Sequence, residues 1–266
     1  MVTEYHDPVG KADYLSLVHL ERYLFACATL APGRRVLDIA CGPGYGTGML
    51  LQRGCDAIGA DYDEELVCMA RSAWGAERFL VANALALPFA DASFDVVVTF
   101  ETIEHVSDGA AFLNEMRRVL RPGGLFMCST PNIRYTTHPV YHLKEYKPEE
   151  FFELVRRAFG NVKRYGQYFR LRDYVRDRGR LVKDRLMSFA VGLGLLRLAK
   201  LVLPRGIVNR LRGGAPAAAA QAPQPQPSAP RSPVGPPADR FYRVREHSGE
   251  RALRVMVAVA TKENAS

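Results

Sequence analysis

The sequence predicts an α/β fold: a doubly wound, mostly parallel sheet with helices on both faces. Three observations predict it. Short β-type runs alternate with segments of helical periodicity, an order that implies right-handed crossovers within one sheet. A glycine-rich turn, Ala40-Cys41-Gly42-Pro43-Gly44-Tyr45-Gly46, joins the first such run to the next helical segment. The run Phe94 to Phe100 is mostly apolar, as expected of a strand covered on both faces.

Tyr14 to Leu30 carries apolar residues at helical spacing and stops at Ala31-Pro32-Gly33. Arg35 to Ala40 is the first strand and Thr47 to Arg53 the helix after the glycine turn. Ala57 to Ala60 and Glu64 to Ala73 repeat the pair, and Arg78 to Ala82 is a short third strand. Phe94 to Phe100 is the fourth strand. Ala110 to Leu120 is helical and ends at Arg121-Pro122-Gly123-Gly124, before a fifth strand at Leu125 to Ser129. Pro148 to Phe159 is a helix and Val162 to Tyr168 a strand; the last strand is the valine-rich Arg251 to Thr261. The two late strands add an antiparallel pair at one edge and bring the expected sheet to seven strands.

The chain divides into four parts. Residues 1–170 form the core, and 171–212 a basic amphipathic helical insertion. Residues 213–238 are an Ala/Pro-rich linker with Gln-Pro repeats, and 239–266 return to complete the sheet. The linker composition buries too little surface to offset chain entropy, so it is expected to be disordered.

The 266 residues are 48% hydrophobic and 24% charged, which suits one globular core. No apolar run reaches the roughly 18 residues of a spanning helix. The polar, acidic start does not read as a signal peptide. The five cysteines lack metal-type spacing and read as reduced thiols. The expected location is therefore cytoplasmic.

The net charge of +8 is concentrated between Lys163 and Arg212. From Leu181 to Val208, apolar clusters alternate with Arg185, Arg197, Lys200 and Arg205. This pattern suits peripheral contact with the inner face of a membrane, a lid, packing against a second subunit in a homodimer, or a solvated helix face. No aromatic–basic interleaving accompanies it, so nucleic acid is the less favoured partner.

Glycines after a strand let backbone approach a ligand closely, and the following helix offers free N–H groups. Asp61 follows the second strand, roughly 20 residues past the glycines, where an acid accepts from ribose hydroxyls. Both features suit a nicotinamide cofactor as well as S-adenosylmethionine.

Taken in order, five stretches separate these cofactors. Val36-Leu37-Asp38-Ile39-Ala40-Cys41-Gly42-Pro43-Gly44-Tyr45-Gly46 resembles motif I of the class I S-adenosylmethionine-dependent methyltransferases. Ala60-Asp61-Tyr62 resembles their ribose-binding motif. The segment from Ala82 through Asn83, Ala84 and Leu87-Pro88-Phe89 resembles their adenine-binding segment, with Asn83 where the family usually has aspartate. Phe94-Asp95-Val96-Val97-Val98 and Leu120-Arg121-Pro122-Gly123-Gly124 complete the resemblance. A nicotinamide dehydrogenase would lack the Leu-Pro-Phe segment and the Arg-Pro-Gly-Gly turn.

The resemblance implies a Rossmann-like methyltransferase fold. It places Asp38, Gly42, Gly44, Asp61, Tyr62, Asn83, Ala84 and Phe100 around the cofactor. It gives Asp38 the task of ordering the glycine loop and helping to seat the methionine amino group. Arg22, beside His19 and Tyr23, either pairs the cofactor carboxylate or faces solvent.

The fourth strand leads into Glu101-Thr102-Ile103-Glu104-His105. As a helical turn, this segment would project Glu101, Glu104 and His105 on one side. The Glu-x-x-Glu-His arrangement is similar to metal sites in ubiquinone-type O-methyltransferases and in enzymes that methylate the terminal ribose of small RNAs. The latter add a histidine after a Ser-Thr-Pro-Asn segment. This chain has Ser129-Thr130-Pro131-Asn132, then His138 and His142, of which His142 is the better match.

Three readings of Glu101, Glu104, His105 and His142 stand. They could hold magnesium, manganese or zinc, which would act as a Lewis acid on the acceptor oxygen. His105 or His142 could serve as a metal-free base. Glu104 and His105 could instead be helix-capping structure. The expected function is O-methylation of a small-molecule, sugar-containing or lipid-linked acceptor. The alternatives are ribose 2′-O-methylation of RNA and a non-catalytic cofactor-binding scaffold.

Overall fold

The computed structural model describes residues 14–136, 141–168, 244–246 and 253–263. The elements run α1 (Tyr14–Thr29), β1 (Arg35–Ile39), α2 (Tyr45–Gln52), β2 (Asp56–Asp61), α3 (Glu64–Trp74), β3 (Phe79–Val81) and β4 (Phe94–Phe100). They continue with α4 (Gly109–Val119), β5 (Leu120–Pro131), α5 (Pro148–Phe159), β6 (Gly160–Tyr168), β7 (Val244–Glu246) and β8 (Leu253–Lys262). Short 3-10 turns occupy Ala76–Arg78 and Ile103–His105. The chain separates into two units, residues 1–169 with 239–266, and residues 170–238. The second unit lies outside the described residues, and with it the expected helix of 171–212 and the linker of 213–238.

The sheet order is β3-β2-β1-β4-β5-β8-β6-β7. β3 through β5 are parallel neighbours, whereas β8 lies antiparallel to both β5 and β6. The expected seven strands are present, and the three residues Val244–Glu246 add an eighth against β6. Strand order reverses between β1 and β4, which opens a crevice beyond their carboxyl ends.

Apolar side chains close both faces. Tyr23 and Ala26 of α1, Leu30 just beyond it and Leu50 of α2 pack with Val36, Val96, Val98, Val255 and Val257 on one face. Phe112, Leu113 and Met116 of α4 and Phe151, Phe152, Val155 and Phe159 of α5 pack with Leu37, Val97, Phe126 and Met256 on the other. Each large side chain so buried contributes roughly 1.5–3 kcal/mol. Local chemistry sets the helix ends. Asp63 caps α3 by accepting from the Glu65 and Leu66 amides, and Asp108 caps α4 through Ala110 and Ala111. Pro148 opens α5 at its first turn, and Gly160 with φ 87° closes it.

The expected turn at Arg121-Pro122-Gly123-Gly124 is instead the irregular start of β5. Leu120 pairs with Phe94, the register then shifts, and regular pairing resumes at Val96 with Leu125. Gly123 absorbs the irregularity with φ 71°.

Gly46 shows how tightly α2 meets α1. A Cβ there would lie 2.1 Å from the Tyr23 ring. A helical glycine-to-alanine change normally stabilises by about 1 kcal/mol. Overpacking against a buried ring costs roughly 1–3 kcal/mol, and the rigid ring decides the sign. Gly46→Ala should therefore lower stability in denaturant titration; an increase would show that Tyr23 can move aside.

Candidate functional site

The glycine turn leaves β1 through three left-handed residues, Ala40 (φ 58°), Gly42 (φ 54°) and Gly44 (φ 82°). Gly44 is enclosed: an added Cβ would lie 2.7 Å from the Phe79 ring and 2.8 Å from Ala70. An added Cβ at Gly42 meets nothing within 4 Å. Gly42 thus presents bare backbone to open space, as a close ligand contact requires.

Two carboxylates hold this turn. Asp38 is fully buried and accepts from Tyr23 Oη at 3.0 Å and Thr47 Oγ1 at 2.7 Å. It ties α1 and α2 to the end of β1. Asp61 accepts from the Gly42 amide at 2.8 Å through one oxygen and from the Asp63 amide at 2.9 Å through the other. The expected ribose ligand therefore also shapes the loop beside it.

Tyr62 is 71% exposed at the rim. Asn83 is exposed and accepts from the Leu85 amide at 2.9 Å, while Ala84 packs at the edge of the core. Glu115 and Arg118 of α4 anchor this segment through Leu87 and Phe89. The Phe100 side chain is buried, edge-on to Tyr23 at 5.1 Å, where the apolar end of β4 is covered by α1.

Arg22 is 1% exposed, which removes the solvent-facing reading. Its Nη1 donates to Gln167 Oε1 at 2.7 Å and lies 3.8 Å from Glu101 Oε1.

Beyond β4 the chain turns sharply. Glu101 has φ 56°, uncommon for a residue with a side chain. The expected convergence of Glu101 with Glu104 and His105 is corrected here. The segment is not one regular helical turn, so Glu101 swings to Arg22 and accepts from Ser129 Oγ at 2.8 Å. Glu104, His105 and His142 do converge, with one ligand-type atom from each lying within 4.8 Å of the others. His138 lies outside the described residues.

The three are held from behind. Thr130 donates to Glu104 Oε2 at 2.9 Å, and the Glu104 carbonyl accepts from the Leu143 and Lys144 amides. His105 Nδ1 lies 3.2 Å from the Tyr141 carbonyl, and His142 Nδ1 lies 3.2 Å from Glu145 Oε1. Both partners accept, so each ring donates through Nδ1 in these contacts. Glu104 Oε1 is buried and has no hydrogen-bond partner among the described residues. Burial, then the nearby Glu101 charge, pushes the Glu104 carboxyl well up. One orphaned carboxylate oxygen and two imidazoles form a donor set that fits a divalent cation.

Several of these roles have no local sequence signal. Ser129 and Thr130 each bind one carboxylate, and Asn132 holds the turn by donating to the Leu253 carbonyl. Tyr23, Thr47, Glu145 and Gln167 act through contacts that spacing alone does not reveal.

A glycine turn at the strand-order switch point, with an acid at the end of β2, is the arrangement of a Rossmann-like nucleotide-cofactor fold. Residues 37–128 match the family described as "Methyltransferase domain". A probable S-adenosylmethionine-dependent methyltransferase of Mycolicibacterium smegmatis is 41% identical over 145 residues, covering 52% of this chain and 54% of that protein. A ubiquinone biosynthesis O-methyltransferase of Cereibacter sphaeroides is 31% identical over 159 residues, covering 52% and 64%. The chain thus spans about half to two-thirds of the length of these curated relatives. A crystal structure of a methyltransferase from Thermotoga maritima shares the fold, with TM-score 0.56 and 21% identity, covering 93% of this chain and 92% of that one. Residues 37–128 thus carry a methyltransferase domain, and over that stretch the chain is similar to S-adenosylmethionine-dependent methyltransferases.

Burial pushes the Asp38 carboxyl from 3.8 up to about 7. A raised folded-state value stabilises below the unfolded one, and that contribution is lost as pH rises through the folded one. Denaturant titration should therefore show wild type losing stability relative to Asp38→Asn between pH 4 and 7. A constant difference across that range would contradict the assignment.

Proposed function

We propose that the chain transfers the methyl group of S-adenosylmethionine to an oxygen of a small-molecule, sugar-containing or lipid-linked acceptor. We place a divalent cation at Glu104, His105 and His142. The observation that carries the cation reading is the buried Glu104 Oε1, unpartnered among the described residues, in a residue whose ligand-type atom lies within 4.8 Å of one from each of two imidazoles. The O-methyltransferase relative of Cereibacter sphaeroides supports oxygen as the acceptor atom.

On this reading the glycine turn receives the cofactor, with Gly42 supplying close backbone contact and Asp61 facing the ribose. Asp38 keeps the turn in shape from beneath. Asn83 and Ala84 border the adenine, Tyr62 stands at the rim, and Arg22 takes the cofactor carboxylate. The cofactor supplies an electrophilic methyl on a sulfonium. A divalent cation, when bound, lowers the acceptor hydroxyl's pKa as a Lewis acid. The chain's own contribution is positional. Thr130 orients Glu104, the Tyr141 carbonyl and Glu145 set the two imidazoles, and the acceptor is held in line for attack. The exposed Leu143, 62% accessible and next to His142, offers apolar contact to an acceptor with a hydrophobic portion.

Calorimetric titration with manganese or cobalt tests the site. Wild type should bind one ion, and Glu104→Gln should bind it at least about tenfold more weakly, as loss of an anionic ligand implies. Affinity for S-adenosylhomocysteine should stay nearly unchanged. Equal metal affinity in the two proteins would overturn the assignment of Glu104.

A further inference from the structure

A guanidinium presents its donors in a fixed planar fork, and burying it with nitrogens unpaired is costly. Arg22 is in this condition. Its side chain is 1% exposed, Nη1 is engaged by Gln167, and Nε and Nη2 are buried with no hydrogen-bond partner among the described residues. Nε and Nη2 form one edge of the fork, the edge that matches the two oxygens of a carboxylate.

Gln167 decides which edge is left over. It lies on β6, fully buried, 145 residues from Arg22 in sequence. Its Oε1 accepts from Arg22 Nη1 at 2.7 Å, while its Nε2 donates to the Val18 carbonyl of α1 at 3.0 Å. The amide is therefore held at both ends and cannot exchange its oxygen and nitrogen without losing both bonds. Glu101 Oε1, at 3.8 Å from Nη1, lies beyond hydrogen-bond distance and is itself engaged by Ser129. Arg22 also adjoins Tyr23, which bonds Asp38 at the end of β1. The guanidinium thus stands beside the carboxyl ends of β1 and β4.

We propose that Gln167 is a positioning residue that turns the Nε/Nη2 edge of Arg22 toward the carboxylate of the cofactor's methionine portion. This rests on the S-adenosylmethionine reading given above. On this reading Gln167 acts on the cofactor only through Arg22. It acts by occupying Nη1, so that the free edge has one orientation before the ligand arrives, which lowers the ordering cost of binding.

The experiment compares two ligands by calorimetry. S-Adenosylhomocysteine carries the amino-acid carboxylate, and 5′-methylthioadenosine lacks the whole amino-acid portion. Wild type should prefer the former. Gln167→Met, similar in length but without hydrogen bonds, should bind S-adenosylhomocysteine roughly tenfold more weakly. Its affinity for methylthioadenosine should be unchanged, which also reports that the variant is folded. Adding Gln167→Met to Arg22→Met should cost little beyond Arg22→Met alone, because the two act through one contact.

Equal losses for both ligands would make Gln167 merely structural and overturn the proposal. So would additive losses in the double variant. A wild type that prefers S-adenosylhomocysteine and a Gln167→Met variant that is unaffected would overturn the positioning role alone. Wild type binding neither ligand would overturn the cofactor reading together with this one.

Discussion

Asp38 sits at the end of β1 with no exposed surface, and among the described residues two hydroxyls, from Tyr23 and Thr47, stand in for the water it has lost. Much of the candidate site depends on how that carboxylate is satisfied. Tyr23 brings α1 onto the sheet and thereby places Arg22. Thr47 fixes the first turn of α2, and so the path of the glycine turn before it. The cost of burial shows in the carboxyl's rise to about 7. A buried polar group that is only half satisfied destabilises more than an apolar one, so both hydroxyls are needed together.

A second pair of carboxylates, at the end of β4, follows the same logic with a different outcome. Glu101 and Glu104 lie close enough for one charge to raise the other's pKa. The left-handed backbone at Glu101 separates them. It sends Glu101 to Arg22 and Ser129 and leaves Glu104 to Thr130 and the two histidines. Consecutive residues of β5, Ser129 and Thr130, point to opposite sides of the sheet and so reach one carboxylate each. The Ser-Thr-Pro-Asn stretch therefore joins the Arg22–Glu101 pair to the cluster of Glu104 with the two histidines.

The periodic elements were legible in the sequence. Phe94–Phe100 and Pro148–Phe159 end where their patterns and flanking residues end. The start of β5 was not, because Arg121-Pro122-Gly123-Gly124 has turn chemistry, and only pairing across to Phe94 makes Leu120 a strand residue. Val244–Glu246 is too short to carry a pattern. At the candidate site, the gathering of Asp38, Gly42, Gly44 and Asp61 around one turn was legible because it depends on nearby backbone. Glu101 was misplaced because regular helical geometry was assumed for a segment containing a left-handed residue. The Phe100 side chain continues the apolar face of β4, a packing role that the motif resemblance does not reveal. Gln167 and Glu145 left no trace, since the groups they hold are defined only by the folded sheet and the segment tied to Glu104.

The central claim, that the crevice beyond β1 and β4 binds S-adenosylmethionine through this chain's own residues, is tested most directly by calorimetric titration of S-adenosylhomocysteine into the purified full chain in the presence of EDTA. The account predicts one-site binding that the chelator does not weaken, because no metal ligand belongs to the cofactor site. Absence of binding by well-folded protein would contradict it.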